Sequence, residues 1–148
     1  MRTVPKSRRN PQYNSDVLAR TLPGAGVSYR HEPALGGFRR VQPDSPNGGW
    51  RHPSFRGYAD YMAGDEFRDA LLRLELQAEA EPTAVMCAET LWWRCHRRMI
   101  ADALVARGRP VLHLGVGAEP VVHELTRFAV VDAGGRITYP PAPGDESA

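Results

Sequence analysis

Apolar residues recur at three- and four-residue spacing in two stretches in the middle of the chain. Phe55, Tyr58, Ala59 and Met62 share one helical face behind Pro53-Ser54, which predicts a helix from Pro53 to about Met62. Gly64-Asp65 breaks and re-caps the chain, and Phe67, Ala70, Leu71, Leu74 and Ala78 mark a second helix from Glu66 to about Glu79. Tyr58 and Tyr61 read as packing residues. A third apolar face, Met99, Ile100, Ala103 and Leu104, belongs to a helix from Arg94 to Arg107, stopped by Gly108. Upstream, Asn14-Ser15-Asp16 can cap a short helix to about Leu22, with Val17 and Leu18 inward and Pro23-Gly24-Ala25-Gly26 ending it.

Four short runs read as strands: Val27 to His31, Ala84 to Cys87, Pro110 to Leu114, and Arg136 to Tyr139 after a turn at Gly134-Gly135. The second and third flank the Arg94–Arg107 helix, so they form a βαβ unit whose strands should be parallel. The expected fold class is α/β, a small Rossmann-like three-layer domain with a parallel sheet. Residues 1–139 would form the single domain, with one helical turn within 119–128 and a disordered tail over 140–148. Between them, residues 38–52 form a glycine-, proline- and arginine-rich segment too long for an idle connection, which reads as a functional or partly mobile loop.

Composition narrows the class. At 148 residues, 42% of them hydrophobic and 24% charged, the chain holds one core and not two. No apolar run approaches the ~18 residues of a membrane span, and the basic N-terminus lacks the apolar segment of a signal peptide. A cytoplasmic protein is expected, with no membrane partner, and its two cysteines are expected to be thiols. Charge is uneven: residues 1–56 carry ten Lys/Arg against three acids, whereas the rest carries nine against fourteen. Of the 19 basic residues only Lys6 is lysine. A coding bias would explain that count; so would a face for phosphate, which arginine's planar fork grips bidentately.

Reactive residue types concentrate between Cys87 and Arg98. At the carboxyl end of a parallel strand, where ligands bind, stands Cys87, and Cys95, His96 and Arg97 would fall in the first turns of the next helix. Free N–H groups and the helix dipole there favour an anion and lower a thiol's pKa. Three readings stay open. Cys87 or Cys95 is a thiolate nucleophile with His96 as base and Glu89 orienting it. Alternatively Cys87, Cys95 and His96 ligate a metal, with Glu89 as a carboxylate ligand or base and with His113 or His123 able to supply a fourth ligand. Or the cysteines pack as small hydrophobes while His96 and Arg97 bind an anion. A phosphatase-type thiolate loop is disfavoured, since Cys87 to Arg94 has six intervening residues rather than five and no glycine. Gly36-Gly37 would let backbone approach a ligand, without the spacing of a nucleotide phosphate loop.

Met86-Cys87-Ala88-Glu89 with Cys95-His96-Arg97 resembles the signature of the family catalogued as domain of unknown function 488. Agreeing segments follow in order: Arg2-Thr3-Val4-Pro5 with Ser7-Arg8, Tyr29, Leu35-Gly36-Gly37, Phe55, Tyr58-Ala59, Tyr61-Met62, His123-Glu124-Leu125-Thr126 and Tyr139-Pro140. The resemblance implies a small Rossmann-like domain and names no substrate or cofactor. It also implies that the family's opening strand, helix and second strand are missing before Arg2, through a misassigned start or because the chain is a shortened paralogue, the misassigned start being the expectation. Arg2, Ser7 and Arg8 would then face the same cleft as Cys87 and Glu89. The functional expectation is an enzyme-like domain acting on a phosphorylated small molecule or nucleic acid. Cys87, Glu89 and His96 would be catalytic, and Arg2, Ser7, Arg8, Tyr29, Gly36, Gly37, Arg39, Cys95 and Arg97 would bind substrate. The rival is a non-catalytic nucleic-acid-binding module with structural cysteines.

Overall fold

The structure, a computed structural model, describes residues 6–144. Four helices occupy it: α1 (Ser15–Gly24), α2 (Pro53–Tyr61), α3 (Asp65–Ala80) and α4 (Arg97–Ala106). Four two-residue strands complete it: β1 (Leu112–His113), β2 (Val121–Val122), β3 (Val130–Val131) and β4 (Ile137–Thr138).

The helices follow from local chemistry. Proline opens α2, and the His52 ring accepts from the Ser54 N–H in place of a missing helical partner. Asp65 and Glu66 stand in the first turn of α3, where carboxylates suit the dipole. Phe67, Ala70, Leu71 and Leu74 are its buried stripe. That stripe packs with Tyr58 and Ala59 of α2, Met99, Ile100 and Ala103 of α4, and Leu35 from a 3₁₀ turn at Pro33–Leu35. Three ion pairs fasten α3 at the rim: Glu75 to Arg107 beyond α4, Glu79 to Arg109, and Arg73 to Glu32 at 3.1 Å. In α1 the expected cap differs. Asn14 makes no side-chain bond to the helix and instead accepts from the Ser7 N–H at 2.7 Å, tying the N-terminal segment down.

The expected parallel sheet is absent among the described residues. β1 pairs antiparallel with β2, and β3 antiparallel with β4, as two separate two-stranded ribbons. The chain is therefore not a Rossmann-like three-layer domain. Ala84 to Cys87 carries no ladder, nor does Val27 to His31. Pro110 to Leu114 yields only β1, paired with its sequence neighbour β2 where a helical turn was expected. An apolar run predicts a strand only if another strand lies alongside, and the helix packing leaves the 84–87 run beside the cleft edge instead. The last ribbon has the anticipated turn: Gly135, at φ 81°, closes it, and Asp132 Oδ1 accepts from the Gly134 and Arg136 N–H groups.

Residues 38–52 contain no helix or strand but are held from three sides. Asp60 of α2 accepts from Gln42 N, Ser45 Oγ and Asn47 Nδ2. Buried Asn47 in turn accepts from the Tyr139 N–H at 2.9 Å. Trp50 packs within 5.2 Å of the Phe55 and Tyr139 rings, edge-on to Phe128 at 4.8 Å. The expected tail over 140–148 falls partly outside the described residues, as does Arg2; Pro140 and Pro141 lie against Gly49 and Gly48.

Candidate functional site

The helix expected from Arg94 begins later. Trp92–Arg94 forms a 3₁₀ turn, Cys95 is extended (φ −125°, ψ 150°), and α4 starts at Arg97 with His96 at its N-cap. This break swings Cys95 inward over the helix end, where the Arg97 N–H points at its sulfur at 3.4 Å. Cys87 comes from the unladdered 84–87 segment, so the site is not at the end of a parallel strand. One ligand atom from each of Cys87, Cys95 and His96 lies within 4.8 Å of the others. Neither cysteine is in a disulfide.

The two thiols titrate as a pair. The Cys95 S–H donates to Cys87 and draws the Cys87 thiol far below its ordinary range, against the burial that opposes ionisation. The proton that remains is held on Cys95, raised by that same hydrogen bond and by burial. His96 sits behind them. Its Nδ1 is 3.7 Å from the Cys95 sulfur, its ring lies 4.9 Å from that of Tyr58, and burial lowers its pKa to about 4. It is therefore neutral at pH 7. A Cβ on Gly37 would come within 3.0 Å of the His96 ring nitrogen. The Gly36-Gly37 pair thus brings backbone close to a catalytic-type side chain, where a ligand had been expected.

Other predicted residues turn to local structure. Glu89 is exposed, and its carboxylate accepts from the Leu91 N–H at 3.1 Å, so it orients a turn and not His96. Arg97 donates to the Glu89 and Thr90 carbonyls, clamping the loop after Cys87 onto the start of α4. Arg39 donates to the Gly36 and Pro33 carbonyls and lies over the Tyr61 ring, 3.8 Å from its centroid. Tyr29 donates to Ser15 Oγ at 3.0 Å, and Ser7 Oγ accepts from the Asn10 N–H.

Ser7, Arg8, Tyr29 and Cys87 nevertheless share one cleft of 1310 Å³, bounded by α1, the 27–32 strap and the 82–90 segment. Its basic lining extends beyond the predicted residues to Lys6, Arg9 and Arg30. Cys95, His96, Arg97 and Arg39 do not line it; the first two back Cys87 from the interior.

Two sulfurs and an imidazole suit zinc by softness and distance. They would give three ligands of four. The His96 Nε2 and Arg97 Nε atoms are buried without a well-formed hydrogen bond, and the Glu89 carboxylate is not among the clustered ligand atoms. His113 and His123 do not join this cluster.

Those two histidines instead build a second polar centre. His113 Nε2 and His123 Nδ1 are 2.8 Å apart, and His123 Nε2 donates to the Asp102 carboxylate at 2.7 Å. Asp102, wholly buried on α4, also accepts from the Thr126 N–H and the Tyr139 hydroxyl. Burial opposes its charge, but these donors outweigh it and hold its pKa below the usual carboxylate range. Trp92 stacks flat on His113, with 3.9 Å between centroids. The legible signal was an aspartate inside the apolar stripe of Met99, Ile100 and Ala103, a position where a charge survives only when partnered.

No curated protein and no solved structure matches the chain. A family model does, over residues 1–104: Domain of unknown function DUF488, which spans the cleft, both cysteines, His96 and Asp102. The chain belongs to that family.

Proposed function

We propose that the protein is an enzyme in which the Cys87 thiolate attacks a phosphate-bearing substrate held in the cleft. One observation carries the reading: Cys87 lines a 1310 Å³ cleft whose lining also holds four basic residues, Lys6, Arg8, Arg9 and Arg30, against two acids, Glu32 and Glu81. The sulfur is kept ionised by the thiol of Cys95 and is backed by His96. The basic lining would bind phosphate through charge-assisted hydrogen bonds and set an electrophilic atom against the thiolate. Arg97 acts as a positioning residue by fixing the loop that follows Cys87.

The test is the pH dependence of alkylation. Cys87 should react with iodoacetamide well below the range of an ordinary thiol, whose pKa is about 8.5. Inorganic phosphate should slow the reaction, and salt should weaken that protection. A Cys87→Ser protein should lose the fast phase entirely. If both cysteines react as ordinary thiols while DNA binds with a steep salt dependence, the protein is a binding module and the enzyme reading fails.

A further inference from the structure

The pair that supplies the thiolate is also built to exchange electrons, an inference that deepens the proposed function because both rest on Cys87 being the cleft-facing sulfur. We propose that Cys87 and Cys95 form a reversible intramolecular disulfide, closed by hydrogen peroxide or an alkyl hydroperoxide entering the cleft and reopened by a dithiol.

Three features of the geometry support the couple. The two sulfurs belong to a cluster in which the ligand atoms lie within 4.8 Å of one another, so closing a bond of about 2.05 Å brings them together by less than about 3 Å. That shift breaks no regular element. Cys87 is in the unladdered 82–87 segment, and Cys95 is in the extended link between the 3₁₀ turn and α4. The exposures are also unequal. Cys87 is half-buried and lines the cleft, while Cys95 is 4% exposed behind it, so oxidant meets Cys87 first.

The steps balance with those groups. The Cys87 thiolate attacks the peroxide oxygen, the O–O bond breaks, and the departing alkoxide or hydroxide takes a proton from water. Cys87 becomes the sulfenic acid, oxidised by two electrons. The Cys95 thiol then gives its proton to His96 Nδ1, 3.7 Å away, and its sulfur displaces hydroxide from Cys87. The hydroxide takes that proton and leaves as water, and the S–S bond is formed. Reduction by a dithiol reverses the change, with the dithiol oxidised to its own disulfide. While closed, the bond removes the nucleophile, so peroxide would switch the site off and a reductant would restore it.

The experiment uses the full chain, reduced, treated with a chelator and then exposed to equimolar hydrogen peroxide. Remaining thiols are alkylated and the protein is mapped without reductant. A peptide joining Cys87 to Cys95, lighter by two hydrogens than the separate thiols and split by dithiothreitol, is expected. A Cys95→Ser protein should instead hold Cys87 as a sulfenic acid that dimedone captures. Two alkylated cysteines after peroxide, or Cys87 taken to the sulfinic acid with Cys95 still a thiol, would overturn the couple. Fast alkylation of Cys87 without a disulfide rejects the couple alone. A disulfide with slow alkylation rejects the nucleophile alone.

Discussion

Gly57 lies inside α2, where helix propensity alone would favour alanine by about 1 kcal/mol. The site decides otherwise. A Cβ there would run into the carbonyl oxygen of Arg39 and the backbone of Arg40. That backbone cannot yield cheaply, because Asp60 on the same helix holds the 42–47 segment with three hydrogen bonds. Overpacking of this kind costs roughly 1–3 kcal/mol, and more against rigid backbone, which exceeds the propensity gain. Gly57→Ala should therefore lower the urea midpoint. A midpoint that stays or rises would mean that the 38–52 segment is not pressed against the helix. The same reasoning separates two glycines that look alike in the sequence: Gly37 abuts the His96 ring, whereas a Cβ on Gly26 would meet nothing within 4 Å and only its φ of 79° favours glycine. Close approach is invisible in a string of letters, because it depends on what folds back against the residue.

At the scale of elements, Asp102 joins α4 to both β ribbons. It takes hydrogen bonds from His123 after β2, from the Thr126 N–H and from Tyr139 after β4. Removing it by Asp102→Ala strands a buried N–H, a hydroxyl and an imidazole, a loss of about 3–5 kcal/mol for a broken buried network. Since whole domains hold only about 5–15 kcal/mol, that variant should be near unfolding. Tyr139→Phe leaves the other donors in place and should cost about 1.5–3 kcal/mol, the range for a bond to a charged group. Chemical denaturation of both separates the network from simple packing: a Phe variant as stable as the parent would show that the hydroxyl contributes nothing. Helices α2 and α3 were legible to within about a residue, because a helix satisfies its own backbone and its apolar stripe repeats locally. The strands were legible only in part: Arg136 to Tyr139 holds β4 after the anticipated turn and Pro110 to Leu114 holds β1, but the pairing was not foreseen. Ala84 to Cys87 has strand composition but forms no ladder with any of the described residues, and β1 found its partner in a stretch that looked helical. For the site, spacing did single out the residues that meet, Cys87, Cys95 and His96. It could not foresee that Glu89 and Arg39 would be used up in local hydrogen bonds.

Across the whole molecule, buried histidines make stability depend on acid. Burial lowers His96 and His113 from 6.5 to about 4, and the neighbouring Arg97 adds to both, while Cys87 on one side and Asp102 on the other pull back. With the His123 Nε2–H donating to Asp102, the bare His123 Nδ1 accepts from the His113 Nε2–H. In the unfolded chain these rings take up protons as pH falls through about 6.5; in the folded protein they resist until about 4. The unfolded state therefore binds more protons in that window, and stability is lost as pH drops across it. For His96 the loss by pH 5 is about 2 kcal/mol, or roughly 4–8 °C in Tm for a chain of this size. Asp102 behaves differently: its lowered pKa keeps its contribution intact until pH falls below the ordinary carboxylate range. Melting curves followed by circular dichroism should thus show Tm falling between pH 7 and 5. His96→Gln should flatten that slope even if it lowers the melting point at pH 7. A Tm independent of pH from 7 to 5 would mean that both rings are charged or solvated in the fold, and with that the neutral base behind the cysteine pair would be lost.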